Sequence, residues 1–185
     1  MKANPVHQPW KVIHSAQVYE AAPWLTVARQ KVELPDGRII SDYHRITLPD
    51  CSGVVARTDD GRFLAARQYR HGPGRVSLTL PGGALDPGEA PLAGAKRELR
   101  EETGYEAKTW APLGSFTMNA NYGCGIVHFF LASGARRTVE PDSDDLEYTE
   151  FMLLSRDELR QAIGNGEVAV LAAVTAILLA MNATR

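Results

Sequence analysis

The sequence predicts an α/β chain of layered architecture, an α/β sandwich or an α+β arrangement. Three observations predict it. Runs rich in β-formers, separated by Gly, Pro and Asp turns, fill most of residues 11–80 and return at 108–117, 126–132 and 149–154. A helical stretch carrying a block of carboxylates interrupts them after residue 89. Two further helical stretches close the chain. Strands wrapped around two or three helices bury their apolar faces only by layering.

The elements follow in order. Residues 11–48 read as an N-terminal β section. Within it Trp24–Leu34 is rich in β-formers, Pro35-Asp36-Gly37 is a turn signal, and Ile39–Leu48 alternates again, so the two runs pair as a hairpin. A second pair is Gly53–Arg57 and Phe63–Tyr69, joined by Asp59-Asp60-Gly61. Val76–Leu80 is a short strand. A helix then starts near Glu89 or Ala90, with Pro91 in its first turn, where a missing N–H costs nothing. Gly104 ends it in the left-handed conformation. Lys108–Thr117 and Ile126–Ala132 are strands around a Gly-rich loop at Asn119–Gly125. Thr149–Leu154 is the last strand. Ser155 and Glu158 form a capping box for a helix to about Ile163, and Val168–Asn182 is an apolar closing helix.

Composition bounds the partners. The chain has 185 residues, a net charge of −2, 44% hydrophobic and 23% charged residues. It has length for a real core. No basic bias points to nucleic acid or to a membrane surface. The longest apolar run, Val168–Met181, has 14 residues, too short to span a bilayer. Residues 1–10 lack the apolar segment of a signal peptide, so the expected location is the cytoplasm. Cys51 and Cys124 show no zinc spacing and read as free buried thiols in a reducing cytosol. His7, His14, His44, His71 and His128 show no ligand spacing either, and His128 reads as structural.

The chemistry concentrates in Gly82–Tyr105. Glu98, Glu101 and Glu102 stand at i, i+3 and i+4, on one helix face. Each like-charge pair costs about 0.2–0.5 kcal/mol on an isolated helix. Negative charge in the C-terminal half also opposes the macrodipole. Taken alone, such a cluster is a solvated acidic face with Arg97 and Arg100 as partners. A divalent cation removes the penalty, because hard oxygens are what Mg²⁺ or Mn²⁺ bind.

The surrounding spacing decides between these. Gly83, five residues, Glu89, seven residues, Arg97-Glu98-Leu99, one residue, Glu101-Glu102, one residue and Gly104 resemble the Nudix box at every fixed position. At about 5–7% usage per residue type, chance produces this in fewer than roughly one in a million chains. The resemblance implies a Nudix-type α/β/α sandwich with a mixed sheet, over residues 49–185, plus the antiparallel section of 1–48. It implies hydrolysis of a nucleoside diphosphate linked to a further group, with Mg²⁺ or Mn²⁺ as cofactor.

Over most of its length the chain also resembles the ADP-ribose pyrophosphatase branch, through the N-terminal hairpin with Trp24 and the Gln68-Tyr69-Arg70 segment. It departs at Thr79-Leu80-Pro81-Gly82-Gly83, where that branch has Glu in place of Thr79 and Ala in place of Gly82. By position, the resemblance makes Glu98, Glu101 and Glu102 metal ligands, with the Gly82 carbonyl completing the set. It has Arg97 orient the carboxylates and Glu89 either ligate an outer ion or anchor the loop. It sets Arg70 at a phosphate or distal sugar; otherwise Arg70 is a surface strand-end arginine. It implies a homodimer, with Trp24 and Tyr43 near the base. Without it, Trp24 is a core residue of a strand. The segment Glu140–Glu147 has five carboxylates in eight residues, a solvated turn or the source of a general base. Glu147 is the first choice for that base and Asp145 the second. Two alternatives stand beside the pyrophosphatase: a nucleoside triphosphate or capped-RNA hydrolase, and a non-catalytic ligand-sensing module.

Overall fold

The computed structural model describes residues 8–142 and 148–184. In chain order the elements are β1 (Lys11–Ala21), β2 (Leu25–Glu33), β3 (Ile39–Thr47), β4 (Cys51–Arg57), β5 (Phe63–Arg70), β6 (Arg75–Thr79), α1 (Pro91–Thr103), β7 (Tyr105–Glu106), β8 (Thr109–Asn119), β9 (Gly123–Ser133), β10 (Arg136–Arg137), β11 (Thr149–Leu154), α2 (Arg156–Gly164) and α3 (Leu171–Ala183). They fall into two compact units, Met1–Pro49 with Thr117–Ile126, and Asp50–Phe116 with Val127–Arg185.

In the first unit β2 and β3 form the expected hairpin, closed from Glu33↔Ile39 with Gly37 at φ 85° in the turn. It is not a lone hairpin. β1 pairs antiparallel along β2, from Lys11↔Glu33 to Ala21↔Leu25. The sequence hid β1 as a separate strand because two register shifts, at Val12/His14 and Gln17/Tyr19, break the period-2 alternation. Trp24 lies in the β1–β2 turn and is 73% exposed, so it is not a core residue. The Gly-rich stretch is mostly strand: β8 and β9 run through it and leave residues 120–122 as the turn. Gly123, Cys124 and Gly125 all have positive φ, and the glycines make that backbone accessible. Tyr43 donates its hydroxyl to the Asn121 carbonyl and meets Trp10 edge-on at 5.6 Å.

The second unit is a mixed sheet between helices. β4 runs parallel to β9 from Cys51↔Val127 to Arg57↔Ser133. β4 and β5 share one antiparallel pair, Arg57↔Phe63, and then diverge. β5 is flanked instead by β6 and β11, both antiparallel. One face packs Val54, Leu64 and Phe130 against Ala95 and Leu99 of α1. The other packs Val55, Phe63 and Phe129 against Leu159 of α2 and Ile177 of α3. β4 alternates between these two cores, as a strand buried on both faces must.

The helix ends obey local rules. Pro91 opens α1, and Gly104 at φ 71° returns its N–H to the Arg100 carbonyl at 2.8 Å. The Ser155–Glu158 capping box opens α2. α3 starts at Leu171, three residues after the expected start. The chain before it is held by β6: Leu78 N–H donates to the Glu167 carbonyl and Ala169 N–H to Ser77 Oγ, each at 2.9 Å. The first bond occupies the Glu167 carbonyl, which a helix starting at Val168 would use, and the second satisfies an N–H that such a helix would leave unpaired. The two-residue pair β7–β10 had no sequence signal.

Candidate active site

The box is a loop, Gly82 to Ala90, followed by α1. The loop is fastened to β4 by Val54 N–H to the Pro81 carbonyl, Ser52 N–H to the Gly83 carbonyl and Leu85 N–H to the Asp50 carbonyl. At Gly82, with φ 143°, a Cβ would stand 2.2 Å from the Ser52 carbonyl oxygen. Only glycine allows that approach. At Gly83 a Cβ would stand 2.7 Å from the Glu98 carboxylate, so the loop backbone lies directly against that side chain.

Arg97 is the hub. Its guanidinium bonds both oxygens of Glu89 at 3.0 and 2.9 Å, Glu98 Oε1 at 2.8 Å, Glu101 Oε2 at 3.2 Å and the Ala84 carbonyl at 3.1 Å. These partners, Glu89 foremost, hold its proton more tightly than an ordinary arginine. Glu89 also accepts from Asp86 N–H at 3.1 Å, which makes it an anchor of the loop. The Arg97 bond and that amide lower the Glu89 pKa. Glu98 is the opposite case: burial raises its pKa, and the Arg97 contact offsets this only in part. Glu102 accepts from Gly82 N–H at 2.9 Å.

The structure thus brings Gly82, Glu89, Arg97, Glu98, Glu101 and Glu102 together. Among the described residues no three acidic, His or Cys side chains stand close enough to form a ready metal cluster. Arg97 supplies a positive charge between Glu98 and Glu101. The donor set is still hard oxygen, on one helix face and against a glycine backbone, which fits Mg²⁺ or Mn²⁺.

Arg70 ends β5 at the turn into β6, half-buried, and lines a cavity with the box loop. Trp24 and Tyr43 belong to the first unit. Glu147 and Asp145 lie outside the described residues. The segment leading to them is docked on the box helix: Thr138 N–H donates to the Gly104 carbonyl and Asp142 N–H to the Glu101 carbonyl, both at 2.8 Å. His128 receives or donates one bond to Ser115 Oγ at 2.7 Å, in keeping with a structural place. Sequence reasoning missed the cavity walls, because Leu80 just after β6, Phe129 of β9 and Ala173 of α3 share no local motif.

A mixed sheet between helices, with a glycine loop leading into a helix of clustered carboxylates, defines a class of loop–helix–loop hydrolases. Residues 47–173 match the NUDIX domain family, and residues 10–46 match the nucleoside diphosphate sugar hydrolase N-terminal domain. The chain belongs to the Nudix family and is a Nudix hydrolase. It is 33% identical over 140 residues to an ADP-ribose pyrophosphatase of Bacillus subtilis (strain 168), covering 75% of each chain. It is 32% identical over 133 residues to a methanol dehydrogenase activator of Bacillus methanolicus, covering 71% of each. The crystal structure of an ADP compounds hydrolase superposes with a TM-score of 0.82 at 21% identity, covering 95% of this chain and 94% of that one, which speaks to the fold. Among the described residues no helix is long and apolar enough to cross a membrane.

Proposed function

We propose that this protein hydrolyses the pyrophosphate bond of an ADP-ribose-like or nucleoside diphosphate sugar substrate, using Mg²⁺ or Mn²⁺, to give two phosphomonoesters. The observation that carries it is the loop–helix contact. Gly82 N–H holds Glu102, Gly83 backs onto Glu98, and both carboxylates thereby face the loop that meets the diphosphate. Glu98, Glu101 and Glu102 would hold the cation together with the Gly82 carbonyl. A bound divalent ion screens the phosphate charge and lowers the pKa of its water. The protein's own residues do the rest. Arg97 and Glu89 keep the box rigid. Arg70 meets a phosphate. Glu147 takes the proton from the attacking water, and the Asp142 bond to α1 supports a base from that segment. The P–O bond to the bridging oxygen breaks, and the leaving phosphate carries that oxygen away.

Residues 1–48 serve as a dimerisation and substrate-binding section, with Trp24 and Tyr43 near the base, and 49–185 as the hydrolase domain. The junction of the two family matches at residues 46 and 47 supports that division. Two free thiols, Cys51 and Cys124, support a cytoplasmic location. The activator among the relatives favours a second reading, in which the domain acts on another enzyme. A panel of ADP-ribose, GDP-mannose, UDP-glucose, NADH and diadenosine polyphosphates with Mg²⁺ tests the first. Release of phosphomonoesters supports it, and no release from any member leaves the second.

A further inference from the structure

Ser52 is 3% exposed, and its hydroxyl has no hydrogen-bond partner among the described residues. A hydroxyl that has left water needs a replacement bond, so such a group calls for an explanation. Ser77 shows the ordinary case. It is as deeply buried, and its Oγ donates to the Leu78 carbonyl and accepts from Ala169 N–H, both at 2.9 Å.

The place of Ser52 in the fold ties it to the box. β4 alternates, so Ser52 shares its face with Val54 and Ala56, which pack against Ala95 and Leu99 of α1. Ser52 N–H donates to the Gly83 carbonyl at 2.9 Å, and a Cβ on Gly83 would stand 2.7 Å from Glu98 Oε1. Gly83 thus touches both residues. His128, the register neighbour of Ser52 on β9, has its Nδ1 engaged with Ser115 Oγ at 2.7 Å.

Glu98 has capacity to spare. Its Oε1 accepts from Arg97 at 2.8 Å, and among the described residues no hydrogen bond reaches Oε2. An ionised carboxylate has about four acceptor sites, so Arg97 and a cation together leave room for another donor. Carboxylates that ligate a metal are held by such outer donors, and losing one costs about 10–100-fold in metal affinity or activity.

We propose that Ser52 is a positioning residue of the divalent-cation site: in the loaded box its hydroxyl donates to the Glu98 carboxylate and fixes how that carboxylate faces the cation. This rests on the metal role proposed above for the box, and it deepens it. In the metal-free chain the same hydroxyl stabilises nothing.

Mn²⁺ titration followed by electron paramagnetic resonance, thermal melting in EDTA and steady-state turnover test it on the wild type, Ser52→Ala and Ser77→Ala. Ser52→Ala should bind Mn²⁺ about tenfold more weakly or worse, with Tm in EDTA level or raised. Its turnover should need correspondingly more Mg²⁺. Ser77→Ala should lower Tm in EDTA and keep the wild-type Mn²⁺ affinity. If Ser52→Ala does not fold, Ser52→Cys, of similar shape and weaker as a donor, replaces it in the same comparison. A Ser52 variant whose Mn²⁺ affinity stays nearer the wild-type value than that overturns the proposal. So does a Tm in EDTA that falls as far as that of Ser77→Ala, because the hydroxyl then has a partner without metal. A wild type that binds no Mn²⁺ removes both the metal role and the proposal. One that binds Mn²⁺ yet hydrolyses no diphosphate loses only the pyrophosphatase function, and the affinities still decide Ser52.

Discussion

Arg97 bonds Glu89, Glu98 and Glu101 through one guanidinium, while Glu98 lies half-buried against Gly83. Burial raises the Glu98 pKa. A carboxyl raised in the folded state contributes stability below its usual range and loses it as pH rises through the raised value. Above that raised value the ionised Glu98 is held less favourably in the folded chain than in the unfolded one, with the Arg97 bond offsetting part of the difference. Glu98→Gln removes a charged ligand and keeps the shape. We expect kcat with Mg²⁺ to fall by orders of magnitude, while Tm in EDTA at pH 7 stays level or rises. The stability difference should vanish in acid. Glu102→Gln should lose kcat similarly. Turnover by the wild type in EDTA equal to that in Mg²⁺ would sink the metal assignment. For Glu147→Gln the expected loss in kcat is about 10²–10⁴-fold, with KM near wild type and partial recovery at higher pH. If Asp145→Asn loses activity and Glu147→Gln does not, the base lies two positions earlier.

At the scale of elements, the ends of α1 and α2 were legible because each is written in a few adjacent residues: Pro91 and Gly104, Ser155 and Glu158. Ser155→Ala removes the oxygen that accepts from Glu158 N–H. It should cost about 1 kcal/mol and lower Tm by about 2–4 °C, with kcat unchanged, as thermal melting and a steady-state assay can check. β1 and the start of α3 were not legible. β1 is held by its pairing with β2 despite two register breaks, and the first residues of the apolar run are captured by β6. In both cases a partner strand overrode the local pattern.

For the whole molecule, β1 adds a third strand to the N-terminal section, which strengthens an otherwise marginal hairpin. β1 still shows Val12, Ile13, Val18 and Tyr19 at 46–56% exposure, and Trp24 is more exposed still. Apolar side chains on an edge strand are a surface that a second copy can cover. We expect a dimer by light scattering at micromolar concentration. A fully active monomer would refute it.

By itself the sequence determined the layered class, the order of most strands, the helix caps and the carboxylate helix. Those depend on alternation, turn residues and i, i+3, i+4 spacing, which act within a few residues of the chain. Only the tertiary structure decided what the carboxylates do with one another. Arg97 bonds Glu98 and Glu101, and Gly82 N–H holds Glu102 across twenty residues. It alone decided that Trp24 stands in solvent, and that Leu80, Phe129 and Ala173 enclose one cavity beside the box. Contacts of that kind are set by how β4 diverges from β5 and pairs with β9, a choice made by packing on both sheet faces and written in no local motif.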